Sequence, residues 1–246
     1  MTPDDILASL FPNGRKTEIH GAMISGQAVL PGGGPIHLLG VIEGKPLGVD
    51  EAIVLARRVI EIVKSGDRAP ILVLVDSASQ RMSKRDELLG LSEYLSHLAK
   101  ALLLAEAEGH RTIGLLYGGS AAGAFIATAL ATGTLVALPG AHPAVMDLPS
   151  MARVTKLPID VLKAKAEATP VFAPGLDNIV LTGGIHAVWD EAAPLAPQLA
   201  AVLQRPQGQD DRSRLGAERG GRRKAAEIAD RVVALAAPRR QEARHG

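Results

Sequence analysis

The sequence predicts an α/β protein with a parallel, layered core. Two short stretches, Pro70–Val75 and Thr112–Tyr117, are almost wholly apolar, which is typical of strands buried on both faces of a sheet. Each stretch ends in a turn of small residues, and a pattern of helical spacing follows each turn. Repetition of strand, turn and helix favours parallel strands joined by crossover helices.

Before the first buried strand, the patterns predict a helix, two strands and a second helix. Apolar spacing indicates a helix over 2–14, and loose alternation indicates strands over 21–30 and 36–42, separated by a turn of three glycines and a proline. The second helix spans 51–64, with Asp50 as its expected N-cap.

After it, one long helix is expected over 84–109, because leucines recur there at helical spacing. An Ala-rich helix over 124–131 follows the central turn. The remaining segments predict strands over 134–138 and 144–148, helices over 150–156, 158–168 and 191–203, a loop over 172–175, and a short element over 177–181 that ends at a pair of glycines.

Composition limits the classes of protein that this chain can be. Apolar residues make up 47% of the 246 residues and aromatic residues only 2%, so Ala, Leu, Val and Ile must build the core. The sequence has no uncharged apolar run long enough for a membrane helix, and its N-terminus lacks the order of a signal peptide. Without cysteine, disulfides, thiolate metal sites and cysteine nucleophiles are excluded. We expect a cytoplasmic protein with no metal site, since the seven histidines show no ligand spacing.

The net charge of +1 hides an asymmetry along the chain. From Arg205 onward there are 11 Lys/Arg against 6 Asp/Glu. This segment lacks the aromatic residues of a nucleic-acid stacking surface, so a solvated tail is favoured and no nucleic-acid partner is expected. We therefore divide the chain into a domain over 1–203 and a hydrophilic linker with a basic C-terminal helix or tail over 204–246, the helix covering 222–237.

The stretch from Gly118 to Gly123, GGSAAG, joins the central strand to its helix. Small residues there let a ligand oxygen approach backbone N–H groups that a helix N-terminus leaves open. This predicts an oxyanion site for a thioester or a carboxylate. The alternative is that Gly and Ala only provide clearance for close packing of helix on strand.

Other polar residues carry weaker indications. Ser120 resembles the serine of a nucleophile elbow, but no histidine is placed by the sequence to act as its base. Asp76 is either catalytic or a cap of the turn that follows it. Asp147, Arg153 and Lys156 are either surface charges or a docking site for an acidic carrier or a carboxylate substrate.

Several segments together resemble the gamma subunit of biotin-independent malonate decarboxylase, within the crotonase-like carboxyltransferase superfamily. They lie between about residues 20 and 190 and read PLGVDEA (46–52), PILVLVDSASQ (70–80), KRDELLGL (84–91), GHRTIGLLYGGSAAGAF (109–125), VMDLPSMARVTKLP (145–158) and TPVFAPGLDN (169–178). The chain departs from the family pattern at Ser77 and Ser79 in the first turn and at Gly119 and Ala124 in the second.

The resemblance implies a crotonase/ClpP-like ββα superhelix of the carboxyltransferase type and a homologous beta subunit as partner. At their interface, malonyl thioester on an acyl carrier protein would lose CO₂ and become the acetyl thioester. The chain itself would bind no cofactor, because the carrier protein delivers a phosphopantetheine-type thioester.

The resemblance also implies roles for particular residues. The backbone amides of Ala122 and Gly123 would stabilise the enolate, and Ser79 and Gln80 would line the opposite turn. Substrate or carrier binding would involve Gly118, Gly119, Ser120, Asp147, Arg153 and Lys156.

Two other functions stay open. The chain could be a non-catalytic scaffold that docks the carrier protein and completes the beta subunit. It could also be a stand-alone crotonase-like enzyme acting on acyl-CoA, which would need a carboxylate or histidine aimed at the thioester.

Overall fold

A computed structural model describes residues 1–170, 173–208, 210–222 and 224–242. Its strands are β1 (Arg15–His20), β2 (Met23–Val29), β3 (Pro35–Val41), β4 (Ile71–Val75), β5 (Thr112–Leu116), β6 (Gly119–Ala121), β7 (Thr134–Ala137), β8 (His142–Ala144) and β9 (Ala187–Val188). Its helices are α1 (Pro3–Leu10), α2 (Val49–Ser65), α3 (Lys84–Leu89), α4 (Leu91–Ala107), α5 (Ala122–Ala127), α6 (Leu148–Thr155), α7 (Ile159–Ala168), α8 (Leu176–Leu181), α9 (Leu195–Leu203), α10 (Arg212–Glu218) and α11 (Ala225–Glu242). The loop expected over 172–175 begins at Phe172, which lies outside the described residues.

Seven strands form the main sheet, in the order β1-β2-β3-β4-β5-β7-β9. The pairs β1–β2 and β2–β3 are antiparallel, whereas β3, β4, β5, β7 and β9 run parallel. A separate parallel pair, β6–β8, lies directly after the central strand β5. The predicted parallel core is confirmed, and the sheet as a whole is mixed.

Both faces of the main sheet are covered by apolar helices. One core cluster joins the sheet to α2, α4 and α5, and the other joins it to α1 and α9. The central strands β4 and β5 are buried along their whole length, which explains why their sequences are apolar without alternation.

Three element boundaries differ from the sequence prediction. The long helix expected over 84–109 is broken at Gly90, whose φ of 84° ends α3 and begins α4. The N-cap of α2 is Gly48, and Asp50 lies in the first turn of that helix, where its carboxylate pairs with Arg85. The exposed edge strand β1 was missed because it carries no alternating apolar pattern.

The region after β7 also differs. The expected strand over 144–148 is wrong, because the strand is β8 and ends at Ala144. Asp147 then accepts a hydrogen bond from the Ser150 N–H (2.7 Å) and caps α6. In the central turn, α5 begins at Ala122, two residues before the expected start.

The segment expected as a hydrophilic linker contains α10, which is fastened to the body of the protein. The Arg219 guanidinium donates hydrogen bonds to the carbonyls of Val180, Ile185 and His186 at 2.7–2.8 Å. A Cβ on Gly216 would lie 2.4 Å from the Thr182 carbonyl oxygen, so the two backbones approach closely. The division of the chain at 203/204 stays a prediction. Within the described residues, no helix is long and apolar enough to cross a membrane.

Candidate functional site

The turns that follow β4 and β5 meet at the carboxyl edge of the parallel strands, as the sequence predicts. Asp76 Oδ1 accepts from the Gly119 N–H (3.0 Å), and the Ser77 N–H donates to the Gly119 carbonyl (2.7 Å). The hydroxyls of Ser77 and Ser120 are 2.9 Å apart, and both side chains are buried. In open parallel sheets, ligands bind at this edge, so these two turns are the candidate site.

Ala122 occupies the corner between β6 and α5. Its φ of 52° is left-handed, a conformation that costs a residue with a Cβ about 1–2 kcal/mol. Such strain is retained where the surrounding structure fixes it, often at functional sites. Here the strained corner turns strand β6 abruptly into helix α5.

The neighbouring amide, that of Gly123, is engaged in this structure. Its N–H donates to the Gln80 Oε1 (2.8 Å). Gln80 therefore does more than line the opposite turn, because its side chain bonds the start of α5. This corrects the expectation of two open donors: the Gly123 amide reaches a ligand only when Gln80 moves away.

Glycine at 123 is required by close packing. A Cβ at this position would lie 2.4 Å from Gln80 Oε1 and 2.8 Å from Leu95 Cδ1, both far inside ordinary contact distance. Position 118 also has room only for glycine, because an added Cβ would lie 2.1 Å from Asp76 Oδ1. Close packing of helix on strand and access to backbone N–H groups both require small residues in this turn. The oxyanion site and the packing clearance predicted from the sequence therefore do not exclude each other.

The Ser120 side chain is buried. The residue is 1% exposed and its hydroxyl bonds that of Ser77, so its partner is not the base that a serine nucleophile needs. In this structure the Ser120 side chain joins the two turns, and its part in substrate or carrier binding stays a prediction.

Asp76 is fully occupied by backbone groups. Besides Gly119, its carboxylate accepts from the Gly44 N–H at 3.1 Å. Burial, with the nearby Asp76 charge, raises the pKa of the Tyr117 hydroxyl, which keeps this phenol neutral. Asp76 is thus a cap of the turn, the plainer of its two sequence interpretations.

Ser79 belongs to the turn after β4, which also bonds the segment around Leu47. Its hydroxyl donates to the Gln80 carbonyl (2.8 Å), and its own carbonyl accepts from the Leu47 N–H (2.9 Å). The Arg81 N–H in turn donates to the Leu47 carbonyl (2.8 Å). The segment around Leu47 therefore fixes the first turn, which the sequence did not indicate.

Asp147, Arg153 and Lys156 form a different surface, on α6 and its ends. Hydrogen bonding by Ser150 lowers the pKa of Asp147, so this carboxylate is a charged helix cap. Arg153 and Lys156 are exposed, and Lys156 ends the helix with a φ of 61°. The structure does not join these three residues to the two turns.

One residue beside the turns was not singled out in the sequence. His142 begins β8 and lies opposite Gly119 in the parallel pair. A Cβ on Gly119 would lie 2.8 Å from its Nε2. No sequence signal marks this histidine, because its place depends on the pairing of two three-residue strands.

Comparisons with known proteins agree with this geometry. The family model described as malonate decarboxylase gamma subunit matches residues 42–236. A carboxyltransferase of Malonomonas rubra, malonyl-S-ACP:biotin-protein carboxyltransferase MADD, is 27% identical over 208 residues, which are 76% of this chain and 70% of that protein.

Solved structures of malonate decarboxylase are also similar to this chain. A Pseudomonas malonate decarboxylase hetero-tetramer in complex with coenzyme A matches with a TM-score of 0.74 and 26% identity, over 96% of this chain and 98% of the matched chain. The Pseudomonas MdcD–MdcE hetero-dimer matches with a TM-score of 0.74 and 25% identity, over 94% and 97%. Transcarboxylase 12S, at 16% identity and a TM-score of 0.66 over 84% of this chain and 41% of that one, shares the fold. The fold is thus the crotonase-like carboxyltransferase fold, and the chain belongs to the malonate decarboxylase gamma subunit family.

Proposed function

We propose that this chain supplies an oxyanion site for decarboxylation of a malonyl thioester, in complex with a homologous beta-type subunit. One observation carries the proposal: the two small-residue turns meet at the carboxyl ends of β4 and β5, with Ala122 in a left-handed conformation at the start of α5. This arrangement supports a site where a thioester oxygen reaches backbone N–H groups.

The reaction requires such a site. When the C–CO₂ bond breaks, its electron pair forms an enolate, and negative charge develops on the thioester oxygen. Preorganised N–H donors stabilise this charge, and one donor contributes about 2.7–4 kcal/mol to lowering the barrier. The Ala122 amide is the first candidate, and the Gly123 amide joins it when the Gln80 side chain gives way to the substrate.

The bonds between the two turns keep this geometry fixed. Ser77 and Ser120 link the turns through their hydroxyls, and Asp76 holds Gly119 from the opposite side. Preorganisation is the source of the catalytic effect, because donors that are already aligned need no rearrangement as the charge develops.

The substrate we propose is malonyl thioester on an acyl carrier protein, carried by a phosphopantetheine-type arm. The Malonomonas relative is named for malonyl-S-ACP, and the Pseudomonas hetero-tetramer was solved with coenzyme A. Malonyl-S-ACP is a thioester, and coenzyme A is the thiol that forms such thioesters, at the end of the same kind of arm. Exposed Arg153 and Lys156 offer positive charge to an acidic carrier.

The partner surface we propose consists of the exposed apolar side chains of the helices α6 and α7, which pack on each other, and does not include the charged side chains of Arg153 and Lys156. No residue of α6 is buried, and exposed apolar side chains extend from the end of β8 into α7: Val145, Met146, Val154, Leu157, Ile159 and Val161. Six exposed apolar side chains within 17 residues of sequence favour a protein interface, because single scattered ones are the norm on a monomer. The MdcD–MdcE hetero-dimer of similar fold supports a homologous subunit as the partner.

A second candidate is a scaffold subunit that docks the carrier and adds no essential group. The hydrogen bond between Gly123 and Gln80 favours it, because one of the two expected donors is already paired. The scaffold hypothesis predicts that substitutions in the two turns leave turnover intact once the complex has assembled.

The experiment compares decarboxylation of malonyl-CoA and of malonyl carrier protein by this chain alone and by the chain with its co-purified partner. Activity only in the complex, lost in Gly123→Val while assembly persists, supports the oxyanion site. Unchanged turnover in the assembled Gly123→Val complex supports the scaffold. Activity of the chain alone supports a stand-alone acyl-CoA enzyme.

A further inference from the structure

We propose that His142 is the proton donor that converts the enolate into the acetyl thioester, an inference that rests on the proposed function. The decarboxylation leaves a carbanion equivalent that must receive a proton, and none of the residues considered for the oxyanion site carries one to give. The geometry of the small sheet β6–β8 places His142 beside that site.

Strand alternation places His142 on the same face of the small sheet as the residues that lead into α5. Side chains of one strand alternate between the two faces, so His142 and Ala144 of β8 share the face of their partners Gly119 and Ala121 in β6. Ser120, between these partners, projects to the opposite face, where it bonds buried Ser77. The face formed by Gly119, Ala121, His142 and Ala144 therefore has one imidazole, its other members carry no reactive group, and it ends at Ala121, directly before α5.

The imidazole lies directly against Gly119. Its Nε2 is 2.8 Å from the position that a Cβ on Gly119 would occupy, so the ring fills the space that this glycine leaves open. Its Nδ1 is 3.3 Å from the Gly140 carbonyl oxygen. With Nδ1–H donating to this carbonyl, Nε2 is the atom that accepts a proton from water and passes it on.

The other titratable groups beside the turns are unsuited to this task. Both oxygens of Asp76 accept backbone N–H groups, and burial raises the pKa of Tyr117. The remaining described histidines lie in structural contacts or on other elements: His20, His37, His97, His110 and His186. His142 is exposed, so solvent can reprotonate it.

The step balances as follows. The C–CO₂ bond of the malonyl thioester breaks, CO₂ leaves, and the electron pair enters the enolate. This pair then forms a C–H bond with the proton of imidazolium Nε2–H, and the imidazole becomes neutral. Water supplies the next proton, so one proton is consumed for each acetyl thioester formed.

The test uses the reverse of the proton transfer. The complex of this chain with its partner is incubated with acetyl-CoA in D₂O, and exchange of the methyl protons is followed by NMR beside decarboxylation of malonyl-CoA. His142→Gln keeps a polar side chain of similar reach but cannot carry a proton. His20→Gln, on exposed edge strand β1, is the matched control.

We expect His142→Gln to slow exchange about 100-fold, within the usual range for loss of a general acid, with KM for acetyl-CoA unchanged and with partial recovery on addition of free imidazole. His20→Gln should exchange at the wild-type rate. Exchange in His142→Gln within twofold of wild type would overturn the proposal, and so would a slow variant that imidazole does not rescue.

The oxyanion site is tested separately in the same assay. If Gly123→Ala slows both reactions and His142→Gln slows neither, the oxyanion site stands and the proton donor is wrong. If Gly123→Ala leaves both reactions unchanged in an assembled complex, the proposed function itself fails.

Discussion

Replacing Gly123 by alanine tests how strictly the two turns are packed. The new Cβ would lie 2.4 Å from Gln80 Oε1, about 1 Å inside the ordinary contact distance of 3.4 Å, and 2.8 Å from Leu95 Cδ1. Gln80 can swing aside, but Leu95 is buried in the core cluster of α4. The start of α5 must therefore shift by several tenths of an ångström.

The size of the effect follows from this shift. A displacement of about 1 Å can cost roughly 100-fold in rate where alignment matters, and 100-fold corresponds to about 2.7 kcal/mol of barrier. Because the start of α5 shifts by several tenths of an ångström rather than by about 1 Å, we expect kcat for decarboxylation to fall about 10-fold. Displacing Gln80 also leaves the Gly123 N–H without its present acceptor.

The assay is release of CO₂ from malonyl-CoA by the assembled complex, with size-exclusion chromatography to establish assembly. Gly32→Ala is the matched control, because an added Cβ there meets nothing within 4 Å and its φ is not left-handed. Equal kcat values for the two variants, in assembled complexes, would refute the argument that close packing at Gly123 sets the geometry of the site.

Three further predictions concern the rest of the chain. Arg219→Gln removes three hydrogen bonds to carbonyls and should lower the free energy of unfolding by about 3 kcal/mol. The measurement is chemical denaturation, with the same substitution at exposed Arg214 as the control. Equal denaturation midpoints for the two variants would contradict the expectation. Replacing Arg153 or Lys156 by a neutral residue should raise KM for the malonyl carrier protein, with KM for malonyl-CoA and kcat unchanged. An equal rise in KM for both substrates would argue against carrier docking at these residues. Burial and, to a smaller extent, the charge of nearby Arg205 lower the pKa of His186, so the unfolded chain binds more protons at this position than the folded one. The free energy of unfolding should therefore fall as the pH drops below about 6.5, the pKa of an unperturbed histidine. In thermal melts over this pH range, His186→Asn should lose less stability than the wild type.

The buried strands and the turns that follow them were predictable because their chemistry is local. A strand covered on both faces must be apolar throughout, as β4 and β5 are, and a turn approached closely by backbone must be small. The positions of the buried central strands β4 and β5 and of the turns that follow them come from these patterns. The resemblance to the gamma subunit family could likewise be read from residues alone.

Boundaries and partners were less predictable, because they depend on competition between neighbouring groups. Asp50 and Gly48 both suit a helix start, but a Cβ at position 48 would clash with Arg81 and Asp86, and the Asp86 carboxylate accepts from the Val49 N–H (2.8 Å) at the start of α2. The hydrophilic composition of 205–221 indicated a linker, but Arg219 donates to three part-buried carbonyls, those of Val180, Ile185 and His186. A sequence pattern does not show such acceptors.

The sequence by itself therefore determined the class of fold, the two small-residue turns and the family. Tertiary structure alone decided that Gln80 bonds Gly123, that Ser120 is buried against Ser77, and that His142 lies against Gly119. Each of these contacts joins residues 20 or more positions apart in the sequence. The hydrogen bonds of 2.8–2.9 Å form only when the neighbouring strands are paired in the correct register. Register is set by packing of the whole sheet, so it is absent from any local stretch of the chain.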